Sequence, residues 1–200
     1  MVGQSRGGCI EMSFMSEQEY WEEHWTTRRK KAANNFAKRA YTLIQQRGLK
    51  TLLDVGSGDG RDSLYFAGKG LSVTAVDFSE SGIDQLKSQN DDIQTRVADI
   101  KNLKFSPNSF DVIYAHLSLH YFDDRVTTEV FESLYQMLKK GGLLFVKCKS
   151  VDDALYGKGK KIGPDMYQRS HLRHFFSREY MQEKLKSFKI CHKLLNYKNL

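Results

Sequence analysis

The stretch Thr51-Leu52-Leu53-Asp54-Val55-Gly56-Ser57-Gly58-Asp59-Gly60-Arg61 decides the fold. Thr51 to Val55 is short, mostly apolar and bounded by turn residues, which predicts a buried strand. Glycines at alternate positions then let the backbone turn sharply and approach a ligand closely. Arg61 to Lys69 follows with helical character and stops at Gly70. Strand, glycine turn and helix thus succeed one another within twenty residues.

Downstream the alternation continues. Leu71 to Val76 is a second predicted strand, and Ser79 to Gln89 a helix with Ser79 as its N-cap. Ile93 to Ala98 and Phe110 to Ala115 are the third and fourth strands. Val126 to Leu138 is a helix, ended by Gly141-Gly142. Leu143 to Cys148 is the fifth strand, a helix runs from Ser177 through Lys186, and Phe188 to Leu195 is a final strand. Such alternation implies βαβ crossovers. The expected fold is α/β: a doubly wound, mostly parallel, Rossmann-like sheet of six or seven strands with helices on both faces. Ligands of such sheets bind beyond the carboxyl ends of the strands.

The loop departs from the dinucleotide fingerprint G-x-G-x-x-G, because Arg61 stands where the third glycine would let helix and strand pack closely. Asp54, at the strand end, would repel a pyrophosphate; it suits a cationic ligand carrying an amino group and a sulfonium. Asp77, about 20 positions past the glycines, can accept hydrogen bonds from both hydroxyls of a ribose. Phe78 is placed to lie against a base or within the core. Asp99 closes the third strand with Ile100 beside it, and could accept from an adenine amino group.

Over roughly residues 50–150 these features resemble the class I S-adenosylmethionine-dependent methyltransferases. Gly60-Arg61-Asp62-Ser63-Leu64-Tyr65-Phe66-Ala67 looks like the thiopurine and tellurite-resistance branch, as does Tyr20-Trp21-Glu22. The resemblance implies that S-adenosylmethionine is held at its methionine end by Asp54, Gly56, Ser57, Gly58 and Gly60, at the ribose by Asp77, and at the adenine by Phe78, Asp99 and Ile100. His116 and Leu117 would border the donor methyl. The family usually closes its sheet with a hairpin, so the seventh strand is expected to be absent here or differently arranged.

His116 and His120 are the candidate bases, since histidine titrates near neutrality. The competing role for His120, and the preferred one, is a loop residue hydrogen-bonded to backbone. His171 and His174 stand three apart, a spacing that could put both on one helical face, but no third ligand accompanies them and no metal site is expected. Gly157-Lys158-Gly159-Lys160-Lys161 lacks the G-x-x-x-x-G-K-[ST] pattern of a phosphate loop.

The remaining chain is organised around this centre as a single domain over residues 16–200. Residues 1–15 are expected to be a disordered leader. Residues 16–48 read as an N-terminal helical lid, with Tyr20, Trp21 and Trp25 at helical spacing followed by a helix within Thr27–Gln46 that starts after its basic first turn. Residues 150–176 read as an acceptor-side insertion, basic and mobile. The net charge of +7 is uneven: residues 1–100 carry 13 Lys/Arg against 14 Asp/Glu, and residues 101–200 carry 18 against 10. A nucleic-acid acceptor is therefore one alternative to a small molecule, but the Asn-Pro-Pro-aromatic motif of base-amino methyltransferases is absent after the fourth strand. A cofactor-binding module without transfer activity and a nucleotide-dependent oxidoreductase are the others. Cys9, Cys148 and Cys191 form no CxxC pair, which supports neither a disulfide framework nor zinc. No apolar run approaches the roughly 20 residues needed to span a bilayer, and a cytoplasmic location is the expectation.

Overall fold

The computed structural model describes residues 16–27 and 32–190. The elements are α1 (Glu17–Thr27), α2 (Asn35–Gln46), β1 (Thr51–Val55), α3 (Arg61–Ala67), β2 (Ser72–Asp77), α4 (Glu80–Lys87), β3 (Gln94–Val97), β4 (Phe110–His116), α5 (Asp124–Met137), β5 (Leu138–Lys147), β6 (Lys160–Gly163), β7 (Met166–Gln168), β8 (Leu172–His174) and α6 (Arg178–Lys184). A short 3-10 turn, Ile100–Asn102, follows β3.

Five strands form a parallel sheet in the order β3-β2-β1-β4-β5. Side chains of a strand alternate between faces, and here both faces are covered. Leu53, Val55, Ile113 and Ala115 pack with Val130, Phe131 and Leu134 of α5. Leu52, Val112 and Tyr114 point the other way, onto Ala37, Ala40 and Ile44 of α2 and Phe66 of α3. A fully buried leucine contributes about 1.5–3 kcal/mol relative to exposure, so the apolar central strands are a large part of what holds the layers together. Strand order reverses between β1 and β4, and the carboxyl rim at such a reversal is where sheets of this kind have their ligand crevice.

Helix starts follow local chemistry. Asn34 caps α2 by accepting from the Ala37 N–H at 2.9 Å, which places the start of that helix well after the basic tract. Ser79 caps α4 through the Gly82 N–H, and Ser177 caps α6 through the Tyr180 N–H. Each such cap contributes about 1 kcal/mol.

Three expectations are corrected. The main sheet has five strands among the described residues, not six or seven; Phe188 to Ile190 carry no strand, and the rest of the predicted last strand lies outside the described residues, as does the predicted leader. The 150–176 segment contains a separate antiparallel sheet, β6-β7-β8, and His174 is on β8 with His171 just before it, so the helical pairing of the two fails. Finally, Gly141 and Gly142 lie within β5. Gly142 is needed there because a Cβ would come within 2.7 Å of the Asp111 carbonyl oxygen.

Candidate functional site

The loop after β1 is pinned to the neighbouring strand. The N–H groups of Gly56 and Ser57 both donate to the Val76 carbonyl, at 2.8 and 3.0 Å. Gly56 has φ +75° and Gly58 φ +57°, conformations that cost other residues about 1–2 kcal/mol. A Cβ on Gly56 would stand 2.3 Å from the Ser118 Cβ, and one on Gly58 2.3 Å from the Trp25 indole. Gly60 sits close against Leu86 of α4 in the same way. The Ser57 hydroxyl is buried with no hydrogen-bond partner among the described residues.

The three strand-ending acids are in three different states. Asp54 is buried and accepts from the Ser63 hydroxyl at 2.6 Å. Burial pushes its carboxyl up to about 8, against the pull of that hydroxyl and with the added push of Asp62 and Asp77. Asp77 is also buried, and burial raises it too, but it accepts from the Gly58 N–H at 2.8 Å and the Ser79 N–H at 3.0 Å. It thereby ties the glycine loop to the start of α4. Asp99 is half-exposed, accepts from the Lys101 N–H at 2.9 Å and pairs with the Lys101 ammonium at 3.1 Å. Phe78 and Ile100 are both half-buried. The Ile100 Cδ1 lies 3.4 Å from where a Gly56 Cβ would be, so it borders the loop.

Arg61, the residue that set this loop apart from a dinucleotide fingerprint, pairs with Asp62 at 3.2 Å. Asp62 in turn accepts from the Tyr114 hydroxyl at 3.0 Å and from the Asn34 amide. These bonds fasten α3, β4 and the entry to α2 behind the loop.

The segment after β4 closes the other side of the crevice. Ser118 donates to the Val55 carbonyl at 2.6 Å, binding this segment to the end of β1. Leu117 holds φ +61°, unusual for a branched apolar residue, and its N–H donates to the Lys147 carbonyl at 2.8 Å. The His116 ring lies beside Phe36 and Tyr114, with centroids 5.9 and 6.4 Å apart. His120 is fully buried, and neither ring nitrogen has a hydrogen-bond partner among the described residues. The expected hydrogen bond from its ring to backbone is therefore not formed; only its carbonyl is used, by the His174 N–H at 2.9 Å.

The sequence reading gave α1 no specific contacts, and the structure supplies them. Glu22 accepts from the Ser79 hydroxyl and from the N–H groups of Glu80 and Ser81, at 3.0, 2.7 and 2.9 Å. A carboxylate is favoured there because a helix start carries partial positive charge. Trp25 lies on Gly58 and approaches Gly82. Tyr20 and Trp21 extend the cover to His171, and Trp21 reaches Tyr121 at 5.4 Å between centroids. Their helical spacing was visible in the sequence, but nothing local to residues 17–25 indicates which distant loops they meet.

Residues 52–142 match the family model described as a methyltransferase domain. That part of the chain is similar to a methyltransferase domain. Over 88% of its length the chain is 26% identical to phosphoethanolamine N-methyltransferase 1 of Triticum aestivum, and covers 36% of that protein. It is 24% identical over 83% of its length to a malonyl-[acyl-carrier protein] O-methyltransferase of Enterobacter lignolyticus, covering 62% of it. The chain thus spans between about a third and two thirds of these curated relatives. The crystal structure of an S-adenosylmethionine-dependent methyltransferase from Clostridium acetobutylicum shares the fold, with a TM-score of 0.66 at 17% identity over 84% of this chain and 83% of that one. Among the described residues, no helix is long and apolar enough to cross a membrane, and no group of acids, histidines and cysteines is arranged to hold a metal.

Proposed function

We propose that the protein transfers the methyl group of S-adenosylmethionine to a small-molecule acceptor. The observation that carries this reading is the glycine loop held between two buried carboxyls, Asp54 and Asp77, with the Ser57 hydroxyl buried beside them and unpartnered. A cationic amino acid joined to a nucleoside offers groups for each: an ammonium for Asp54, hydroxyls for Asp77, and a carboxylate for Ser57 and the loop N–H groups.

On this reading Asp54, Gly56, Ser57, Gly58 and Gly60 hold the methionine end and Asp77 the ribose. Phe78, Asp99 and Ile100 hold the adenine, with Asp99 sharing its carboxylate between ligand and Lys101. His116 and Leu117 border the reacting methyl. When bound, the cofactor supplies an electrophilic methyl on a good leaving group, and the protein's contribution is alignment and exclusion of water. Residues 16–48 act as the lid, with α1 laid across the loop, and residues 150–176 form the acceptor side. Base catalysis is not assigned to His120. Burial first, and then the charges of Lys149 and Arg173, push its imidazole down to about 3, too weak a base to draw a proton efficiently near neutrality.

The thiopurine and tellurite-resistance branch is supported by Gly60–Ala67 and Tyr20-Trp21-Glu22, while the two curated relatives named above methylate phosphoethanolamine and malonyl-[acyl-carrier protein] by their names. Because these relatives differ in acceptor, the proposal goes no further than a small molecule. Calorimetric titration with S-adenosylmethionine, S-adenosylhomocysteine and NAD tests the donor; binding of NAD alone overturns the reading. Transfer of labelled methyl into a metabolite extract tests the acceptor. Transfer abolished by nuclease would favour a nucleic acid, and tight donor binding without transfer would favour an inactive module.

A further inference from the structure

Beneath α1, on the side of the crevice away from the glycine loop, several hydrogen-bonding groups lack partners. His120 is fully buried with both ring nitrogens unused. His171 is 1% exposed; its Nδ1 meets the Ser170 hydroxyl at 3.1 Å, but its Nε2 has no partner. Tyr121 bridges them, its ring 4.3 Å from the His120 ring and 5.1 Å from that of His171. The backbone explains why these groups meet. β8 lies against the loops after β4 and β5, with the His174 N–H on the His120 carbonyl at 2.9 Å and the Phe176 N–H on the Lys149 carbonyl at 2.8 Å.

Arg173 stands in the middle of β8 and is half-buried. Its guanidinium makes no ion pair and no hydrogen bond among the described residues, and the backbone holds it by the cluster: the next residue, His174, donates its N–H to the His120 carbonyl at 2.9 Å, and His171 stands two residues before it. The nearby carboxylates are otherwise engaged. Asp153 pairs with Lys149 at 2.8 Å, and Asp165 accepts from the Tyr156 hydroxyl at 2.6 Å. A guanidinium matches planar or tetrahedral oxyanions with two parallel N–H bonds. Neutral imidazoles each add one N–H donor, and both histidines are held neutral near pH 7 by burial and by nearby positive charge.

We propose that Arg173, His120 and His171 seat an oxyanion of the acceptor, so that the substrate is a small acid bearing a carboxylate or phosphate apart from the atom that is methylated. Calling the guest the acceptor rests on the methyltransferase reading; the anion site itself does not. Arg173 is the specificity-determining residue, and Tyr121 under Trp21 walls the site from water.

The test is calorimetric titration of the full chain with inorganic phosphate, at ionic strength fixed with chloride, with and without saturating S-adenosylhomocysteine. Saturable binding is expected, weakened at least about tenfold in Arg173→Met through loss of a bidentate charge-assisted contact. Arg173→Lys should fall between, and Lys158→Gln, an exposed cation of the same insertion, should change nothing. Phosphate should also shift the ring resonances of His120 and His171 in the unmodified chain, a readout that needs no variant to fold. Absence of saturable phosphate binding, unmoved histidine resonances, or equal affinity in Arg173→Met with S-adenosylhomocysteine binding intact would overturn the proposal. Failure of the unmodified chain to bind S-adenosylhomocysteine would instead sink the methyltransferase reading, leaving the phosphate result to judge the anion site alone.

Discussion

The two sides of the crevice are built on opposite plans. On the glycine-loop side most polar groups have partners, mainly from backbone: Asp77 takes two N–H groups, Val76 receives two, Ser118 closes onto Val55 and Asp54 accepts from Ser63, with the Ser57 hydroxyl left over. On the side of His120 and Arg173, buried donors and a half-buried guanidinium stand without partners among the described residues. The first side is pre-shaped at the level of the main chain, and stability and binding draw on the same bonds. The second keeps polar groups in reserve, and there a binding function costs stability.

Breaking the first side should have the largest effect. Gly56→Ala combines a left-handed backbone with a contact against the Ser118 Cβ, and is expected to cost about 2–4 kcal/mol in denaturant unfolding and to abolish donor binding. Asp77→Ala strands two buried N–H groups as well as removing the proposed ribose acceptor. Donor affinity should fall at least tenfold, corresponding to the roughly 1.5–3 kcal/mol of hydrogen bonds to a charged group. An unchanged affinity would remove Asp77 from the site.

Asp54 sharpens the contrast through pH. Its carboxyl is raised to about 8 in the free protein, well above the ordinary value of about 4 in an unfolded chain. Its contribution to stability is therefore complete below the unfolded value and is lost as pH rises through about 8. An ammonium beside it favours the charged form, so donor binding should run the other way, approaching tenfold weaker per pH unit on descending below about 8. Near pH 7, calorimetry in buffers of different ionisation enthalpy should register release of close to one proton per donor bound. Asp54→Asn should abolish both slopes.

On the opposite side the expected sign reverses. His120→Leu removes two unpartnered buried nitrogens, so unfolding should be unchanged or shifted toward greater stability by about 1 kcal/mol while transfer to the acceptor is lost. A destabilisation comparable to that of Gly56→Ala would erase the distinction between the two sides. The smallest effect is expected for Glu22→Gln, which weakens charge-assisted bonds at a partly buried helix start without removing them and should cost about 0.3–1 kcal/mol. It is best read as faster amide exchange along α1.

This contrast also explains what could be read from the chain. The five strands and the loop after β1 were legible because a buried parallel strand is a contiguous apolar run, and because a backbone that must approach a ligand demands glycine at fixed positions. Asp77 was legible from its distance to those glycines. The grouping of Arg173 with His171 and His120 was not, since the surrounding side chains come from residues 17–25, 116–121 and 148–153, and no spacing links segments so far apart. The β8 tract was misjudged for a related reason: Ser170 to Phe176 alternates too briefly to distinguish a three-residue strand from a helical turn. The start of α2 moved to Asn34 because a cap decides a helix end more sharply than periodicity does.

The start of α4 holds a consequence for turnover. Its first free N–H groups are divided between two carboxylates, the Ser79 N–H going to Asp77 and those of Glu80 and Ser81 to Glu22. The acid that would grip the ribose and the acid that fastens the cover are thus neighbours on one anchor. If the proposed site and lid are right, a spent cofactor leaving from under Trp25 would wait for Glu22 to let go, and the pace of the catalytic cycle would be set by the undocking of a helix rather than by the methyl group's flight. A first turnover faster than all those that follow would be its signature.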